Sequence, residues 1–442
     1  MLNIKKYIKE YGFILKNSAI YNGIKSVYDY GPLGILLKNN IKELWWITML
    51  GLNKNLYPIE TAIFTHKNIW EKSKHKKKFI YYVIINKKTK KEYKILKFIN
   101  KYKKYINKYY KKFFYYYKNN NIKKIKKIFV KYNFCKKYIL KKKKFMYKVK
   151  NNIYLRPEIS QEVYINFINL LKIYNYKVPF GIIQIGKSFR NEYLSNEFIF
   201  RMNEFEQMEM QYFHNNIHSI NNYNLWLKKR LLWYEKLNIK NIKVKKNIYL
   251  PHYASISFDI LYKFKDINKY KEIEGIHLRN KDLLNHVNKL FNYKFIKNIS
   301  IIETSLGLDR LIYLLIDNFL CNSKITKNKY RLVLKLPYYL SPIKCAIFPL
   351  FKKKKILKIA KNIFKRLKIL YMCIYDDKKS IGKRYRKQDA IGTPYCITVD
   401  EKSILDKKIT IRSRDSMKQK RIYIKKILKY LKNIKLINFF KK

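Results

Sequence analysis

Two neighbouring stretches, "FGIIQIGKSFRNE" from Phe180 to Glu192 and "FIFRMNEFEQMEMQYF" from Phe198 to Phe213, constrain the fold more than any other part of the chain. Both alternate apolar and polar residues, the period of a half-buried strand. Between and beside them Asn191, Ser195 and Asn196 mark a loop. The pattern predicts a hairpin of an antiparallel sheet. Arg190 and Glu192 close its first strand; Arg201, Glu204, Glu206 and Glu209 sit among Phe198, Phe200, Phe205, Met208 and Met210 in its second. Charges on an apolar sheet must be paired, either across the hairpin or by a ligand carrying groups of both signs.

The first stretch also spells G-x-x-x-x-G-K-S, Gly181 to Ser188, the letters of a phosphate loop. Its context does not fit. A phosphate loop is a turn whose amides face the ligand, followed by a helix starting at the lysine. Here Ile182, Ile183, Gln184 and Ile185 favour a strand, and loop residues stand where the helix should begin. Lys187 and Ser188 are therefore read as strand residues.

At 442 residues the chain can hold two or three domains. A formal net charge of +71 would suit a polyanionic partner. Yet the chain is saturated with Lys, Asn, Ile, Tyr and Phe, whose codons are rich in A and T. Drift of a bacterial or organelle-like genome accounts for most of the excess. Arginine says more: none precedes Arg156. Lysine does not replace a planar fork that grips phosphate or carboxylate. Arg156, Arg190, Arg201, Arg310, Arg384, Arg386, Arg412 and Arg414 are thus candidates for specific contacts. The five cysteines are scattered without a C-x-x-C pair, which predicts neither a zinc ribbon nor a disulfide framework. The N-terminal segment lacks a secretory pattern and no apolar run approaches a membrane span. A cytoplasmic or organelle-matrix protein is expected.

"YDYGPLGILLKNNIKELWWITML" starts as a turn and continues as a helix, with Pro32 in the first turn. Leu36, Leu37, Ile41, Leu44 and Trp45 recur at helical spacing, giving a core face or an oligomer seam. From about 97 to 144 the chain is rich in Lys, Tyr, Phe and Asn, without Gly or Pro. Such a stretch could grip single-stranded nucleic acid; a partly helical insertion with a solvated lysine face is the simpler reading. A helix is expected at 161–171 and a strand at 255–266, and "NISIIETSLGLDRLIYLLI" passes from strand to helix. Beyond it, strands at 345–350, 372–376 and 395–400 alternate with helices at 355–370, 382–390 and 417–436. This predicts two domains, 1–334, interrupted by an insertion at about 76–150, and a small α/β domain at 335–442.

Several of these stretches resemble one family. "FRNE" with "FRMNEFEQMEMQYF" is similar to motif 2 of the class II aminoacyl-tRNA synthetases, "GLDRLIYLLI" to motif 3 and "YGPLGILLKNNIKELWW" to motif 1. "YLRPEISQEVYINF", "FEQMEM", "EIEGIH" and "ETSLGLDR" resemble the glycyl-tRNA synthetases of the single-chain, homodimeric type. "SIGKRYRKQDAIGTPYCITVD" and "TIRSRDSM" resemble that family's anticodon-binding domain. Only the Lys/Tyr-rich insertion falls outside the resemblance, and the class I signatures HIGH and KMSKS are absent. The resemblance implies an α+β fold, with a class II antiparallel sheet flanked by helices and a C-terminal α/β anticodon-binding domain. It also implies ATP, glycine and tRNA-Gly as substrates, Mg²⁺ with ATP, no zinc, and a homodimer formed through the motif 1 helix.

For single residues the resemblance implies the following. Arg190, beside Asn191, grips the α-phosphate and the glycine carboxylate. Glu192 lies near the adenine, Phe205 stacks on it, and Arg201 and Arg310 hold the bent triphosphate. Phe200, Met202, Asn203, Glu204, Ile273, Gly307, Leu308 and Asp309 complete the ATP site. Glu158, Glu209 and Glu303 surround the glycine ammonium and Ser305 crowds its Cα. Glu206, Gln207, Met208, Thr304, Leu306 and Lys94, with Phe205 and Gly307, line the rest of that site. Glu272 and Glu303 are the magnesium-side carboxylates, and Arg190, Arg310 and Glu303 carry the catalysis. Departures from the family pattern are Asn86 and Thr89 where bacterial relatives carry a cysteine pair, Lys94 for an arginine, and Lys74 and Glu162 for glycines. His75, His252 and His277 are read as hydrogen-bonding rather than catalytic. A threonyl-, prolyl- or histidyl-type enzyme shares the architecture. From another class, a catalytically dead relative that only binds nucleic acid would not need these carboxylates and arginines.

Overall fold

The computed structural model describes residues 2–106, 109–118, 121–191, 197–248, 250, 254–279, 284–286, 298–326, 329–431 and 439–440. Its central sheet has seven strands: β1 Leu56–Pro58, β2 Phe180–Phe189, β3 Glu204–Asn215, β4 Ile242–Lys246, β5 Ala254–Phe264, β6 Lys269–Arg279 and β7 Ile299–Gly307. They lie in the order β4-β5-β6-β7-β3-β2-β1, antiparallel throughout except for the parallel edge pair β1/β2. Gly181 to Ser188 lies wholly within β2, so the phosphate-loop letters are strand.

The predicted hairpin is β2 and β3, with Phe180 opposite Phe213 and Phe189 opposite Glu204. Its inner ends differ from expectation. The first strand stops at Phe189, just before Arg190, and Glu192 lies outside the described residues. Phe198–Phe200 is a short 3₁₀ turn rather than strand. Aromatic packing decides this: the Phe200 ring meets Phe264 and Tyr313 at 4.8 and 4.9 Å, and Phe198 meets Tyr28 at 5.0 Å. Burial of the two rings outweighs the local β preference.

Side chains alternate across a strand, so one register divides this sheet into two chemistries. Among the described helices that flank it are α1 Pro32–Gly51, α2 Ser160–Tyr174, α3 Ser219–Lys236 and α4 Leu308–Phe319. On one face Met208, Met210, Ile276, Ile302 and Leu306 pack under α1, α3 and α4. Helix α1 begins at Pro32 and buries Leu37, Ile41, Leu44 and Trp45, as its spacing predicts. Each such side chain contributes about 1.5–3 kcal/mol of burial. On the other face α2 lays Val163, Tyr164 and Phe167 over Phe180, Phe213 and Ile301. It covers only part of that face. Beyond its first turn the same face is polar, and the candidate site lies there.

The insertion is a folded module of its own. Strands Ile80–Asn86, Glu92–Lys94 and Tyr138–Lys144 form a sheet, joined by helices Ile95–Lys101, Tyr110–Lys118 and Ile122–Lys131. Phe98, Phe113, Phe129, Phe134 and Tyr138 fill its interior. The aromatics that might have stacked on bases are largely core, and the lysines surround them.

After a hairpin, Leu320–Thr326 with Lys329–Leu334, the chain forms a five-stranded mixed sheet. Cys345–Pro349, Cys373–Tyr375 and Tyr395–Val399 pair in parallel, as expected for an α/β unit. Helices Lys354–Lys368 and Ile381–Ile391 stand close to where their periodicity puts them. One expectation fails. Instead of a helix from 417, Gln419–Tyr423 is an edge strand paired with Lys408–Ser413, followed among the described residues by a 3₁₀ turn Ile424–Lys426 and a helical turn Ile427–Tyr430. Ile422 is buried opposite Ile409, so pairing decides where lysine spacing suggested a helix; residues 432–438 lie outside the described residues. Cys345 and Cys373 stand in register as thiols, their Sγ atoms 3.2 Å apart.

Half of the arginines singled out in the sequence also turn out to be structural. Arg156 donates to the carbonyls of Lys187 and Thr61. Arg384 donates to those of Pro349 and Asp376. Arg414 donates to those of Gly392 and Leu336, and Arg412 clasps Asp389. Arg386 is exposed on its helix. Among the described residues no helix is long and apolar enough to cross a membrane.

Candidate active site

The polar half of the sheet opens into a pocket of about 280 Å³. Register assembles its floor. Glu209 on β3 faces Ser305 on β7, which faces Gly275 on β6; one step along, Gln211, Glu303 and His277 form the next row. Glu158, just before α2, closes one side. All three carboxylates expected around an ammonium thus converge, at 5%, 3% and 3% exposure for Glu158, Glu209 and Glu303.

Buried carboxylates need partners, and each has them. Arg279, at the end of β6, reaches Glu158 at 3.1 Å and Glu303 at 3.3 Å, and donates to the Tyr164 hydroxyl at 2.9 Å. Gln211 donates to Glu303 at 2.6 Å. Ser305 and Gln207 donate to Glu209 at 2.6 and 2.8 Å. The buried Ser188 hydroxyl fixes Gln207 at 2.6 Å. His75 lies 3.2 Å from Glu158, and Gln161 donates to it at 2.8 Å. Burial by itself would raise the Glu158 pKa; His75 and Arg279 outweigh it and hold the group well below the usual carboxylate range. Among the described residues no cation pairs directly with Glu209, and Arg279 offsets its burial only weakly. Burial, and then the charge of Glu303, push it up to about 8.

At the mouth, Arg190 follows the end of β2. Its Nε donates to the Pro157 carbonyl at 2.8 Å, and its guanidinium lies over Phe205 at 5.1 Å and Phe79 at 5.7 Å from the ring centroids. The contact with two aromatic faces holds the fork outward without using up its charge. Its backbone and that of Asn191 are tied to Asn203 and Phe145, so the site's edge borders the base of the insertion. Arg310, in the first turn of α4, pairs with Glu272 at 3.2 Å and donates to the carbonyls of Phe200 and Glu272. Arg201, Phe200, Met202, Ile273 and Gly307 line the same mouth.

Other expected residues turn to the core or are paired within the fold. Met208 and Leu306 are core on the far face, which Thr304, by the alternation of β7, shares. Leu308 is also core. Glu206 pairs with Lys38 at 2.7 Å and with Lys42, both on α1. Asp309 accepts from the Glu206 amide and from Tyr30. These two carboxylates line the pocket and also join the hairpin to α1 and α4. Glu204 pairs with Lys187. Lys94 ends a strand of the insertion, its side chain outside the described groups, and Glu192 and His252 are likewise outside them. Arg279, Gln211, Tyr164 and Gly275 were missed. The alternation of Gly275, His277 and Arg279 along "EGIHLR" was the available signal, since it puts all three on the pocket face.

Comparisons with known proteins identify the family. Residues 143–319 match the family model of the tRNA synthetase class II core domain (G, H, P, S and T), and 344–434 match that of the anticodon binding domain. The glycine–tRNA ligase of Borreliella afzelii (strain PKo) is 37% identical, over 99% of this chain and 98% of the relative. The chain belongs to the glycine–tRNA ligase family. The ligases of Malacoplasma penetrans (strain HF-2), 38% identical over 96% of this chain and 95% of the relative, and Treponema denticola, 35% over 98% of each, are further relatives. Among solved structures, the RNA-binding domain of threonyl-tRNA synthetase from Cryptosporidium parvum Iowa II shares the fold, with a TM-score of 0.66 at 13% identity over 98% of this chain and 99% of that one. Prolyl-tRNA synthetase from the same organism has a TM-score of 0.60 at 16% identity over 99% and 76%.

Class II synthetases use ATP with Mg²⁺. The two carboxylates expected on the metal line the same pocket but start from different places: Glu303 stands opposite His277, whose backbone lies five residues, about 17 Å, along β6 from Glu272. Both Glu303 oxygens are already engaged. Glu272, half exposed beside Arg310, fits the single protein oxygen that a phosphate-borne magnesium commonly takes.

Proposed function

We propose that the chain activates glycine with ATP and transfers it to the 3′ end of tRNA-Gly. The observation that carries this reading is the buried ring of Glu158, Glu209 and Glu303 around a floor whose nearest side chains are Ser305 and the bare Gly275. Three carboxylates suit one ammonium, and so small a floor suits a substrate without a side chain. With its ammonium in the ring, glycine points its carboxylate towards the mouth, where Arg190 waits. One carboxylate oxygen attacks the α-phosphorus, an O–P bond forms, and pyrophosphate leaves past Arg201 and Arg310. A terminal ribose hydroxyl of the tRNA then attacks the glycyl carbonyl and AMP departs. No side chain acts as nucleophile. Arg190 offsets charge on the phosphorus, and its fixed place between Phe79 and Phe205 avoids reorganisation as the reaction proceeds. Magnesium, when bound at Glu272 with ATP, would neutralise the triphosphate.

The C-terminal sheet would hold the anticodon arm. The homodimer would use what α1 leaves outside, including Ile35 and Ile47, since its main apolar face is already core. Glycine-dependent ATP–pyrophosphate exchange tests the reading. Exchange with glycine is expected, and Arg190→Ala should abolish it while leaving the sedimentation of the protein unchanged. No glycine-dependent exchange in the wild-type chain would refute it.

A further inference from the structure

Selecting glycine means refusing a methyl group, and a pocket can do that only by leaving no room. The carboxylate ring alone does not close the space. Ser305 donates to Glu209 at 2.6 Å, and directly across from Ser305 on the next strand stands Gly275, which has no side chain. Paired residues of neighbouring strands hold their Cβ atoms about 5 Å apart. The bare backbone at Gly275 therefore leaves an opening beside the ammonium site, one side chain wide. His277 fills it. A methyl on Gly275 would stand 2.5 Å from His277 Nε2 and 3.0 Å from Cε1, so the imidazole lies over the glycine. The ring is only 7% exposed and lines the pocket, and its Nδ1 is 2.9 Å from the Ser257 hydroxyl on β5. That hydrogen bond fixes the ring against swinging away. We propose that His277 is the wall that excludes alanine and serine, a specificity-determining residue rather than a catalytic one.

The inference rests on the glycine-activation reading above, and one experiment separates the two. ATP–pyrophosphate exchange is measured with glycine and with alanine for the wild type, His277→Ala and His277→Asn. Asparagine is smaller than histidine and keeps a polar group for Ser257, so it guards against an alanine variant that does not fold. The ratio of alanine to glycine kcat/KM is expected to rise about 10-fold or more in His277→Ala, and by a smaller factor in His277→Asn, through a lower KM for alanine. A residue that merely supports the fold would lower both activities together and leave the ratio unmoved. Glycine exchange in the wild type, with a ratio within about twofold of wild type in the folded variants, overturns the role of His277 alone. Absence of glycine exchange in the wild type overturns both.

Discussion

On the proposed reading Glu209 holds an ammonium, and it must first give up a proton. In the free site burial and the charge of Glu303 push its pKa to about 8, so it is protonated at pH 7. A bound ammonium favours the carboxylate, so binding releases a proton. The bound state holds fewer protons, and glycine affinity therefore rises with pH between about 6 and 8, by up to about tenfold per unit. Calorimetry in buffers of different ionisation heat would read the released proton; a binding heat independent of buffer would refute it. Stability has the opposite sign. Between the ordinary 4.5 and about 8 the folded chain binds more protons than the unfolded one, so this group's contribution falls as pH rises. In Glu209→Gln the KM for glycine should rise about 10-fold or more and lose its pH dependence. Residue identity made the carboxylates legible, but not their partners. Arg279 passed unnoticed, while Arg156, Arg384, Arg412 and Arg414 stood out for work that proved to be holding the backbone and a buried aspartate. Which fork meets a ligand depends on contacts far apart in sequence, as with Arg279 and Glu158.

At the scale of elements, periodicity was the reliable signal. The alternation of β2 and β3 and the apolar face of α1 survive in the structure because each buries a full stripe. The misread segments are those whose packing partners lie far away in the sequence. "QKRIY" became an edge strand through a partner that local spacing does not show, and "FIF" became a turn because its rings found pockets. The insertion was legible as a separate composition but not as a fold. Its aromatic core is distinct from those that carry the site, which allows a direct test. Phe98 is fully buried there, and Phe98→Ala should cost about 3–5 kcal/mol locally. Limited proteolysis should then cut within the insertion at low protease, while glycine-dependent exchange stays within about twofold of wild type. Loss of exchange in step with proteolysis would show that the insertion and the catalytic sheet fold as one unit.

Across the whole molecule, the two ends of a tRNA must be read by surfaces held at a fixed distance. On the proposed function, the bonds at the junction between the catalytic sheet and the C-terminal sheet would serve that end. Arg331, on the hairpin after α4, reaches Asp389 at 2.6 Å and the Arg414 carbonyl at 2.7 Å. Arg412 clasps the same Asp389 through both its terminal nitrogens, at 2.8 and 2.9 Å. Tyr7 adds a bond to the Ala390 carbonyl at 2.6 Å, and Asn40 of α1 donates to the Leu340 and Ser341 carbonyls at 3.0 Å each. Asp389 is 1% exposed and is the shared anion for two guanidiniums from opposite sides of the junction. Removing one partner from a buried ion cluster costs about 3–5 kcal/mol, because the remaining charges lose their counterion. Asp389→Asn should therefore loosen the junction without touching the pocket. Two binding surfaces on a loose joint lose effective concentration for each other. Charging of full-length tRNA-Gly should fall about 10-fold or more, while charging of a minihelix carrying only the acceptor end, and glycine-dependent exchange, stay within about twofold of wild type. Equal losses on both RNAs would mean that Asp389 supports the catalytic fold itself, and undiminished charging of the full tRNA would mean that the two sheets act without a rigid link.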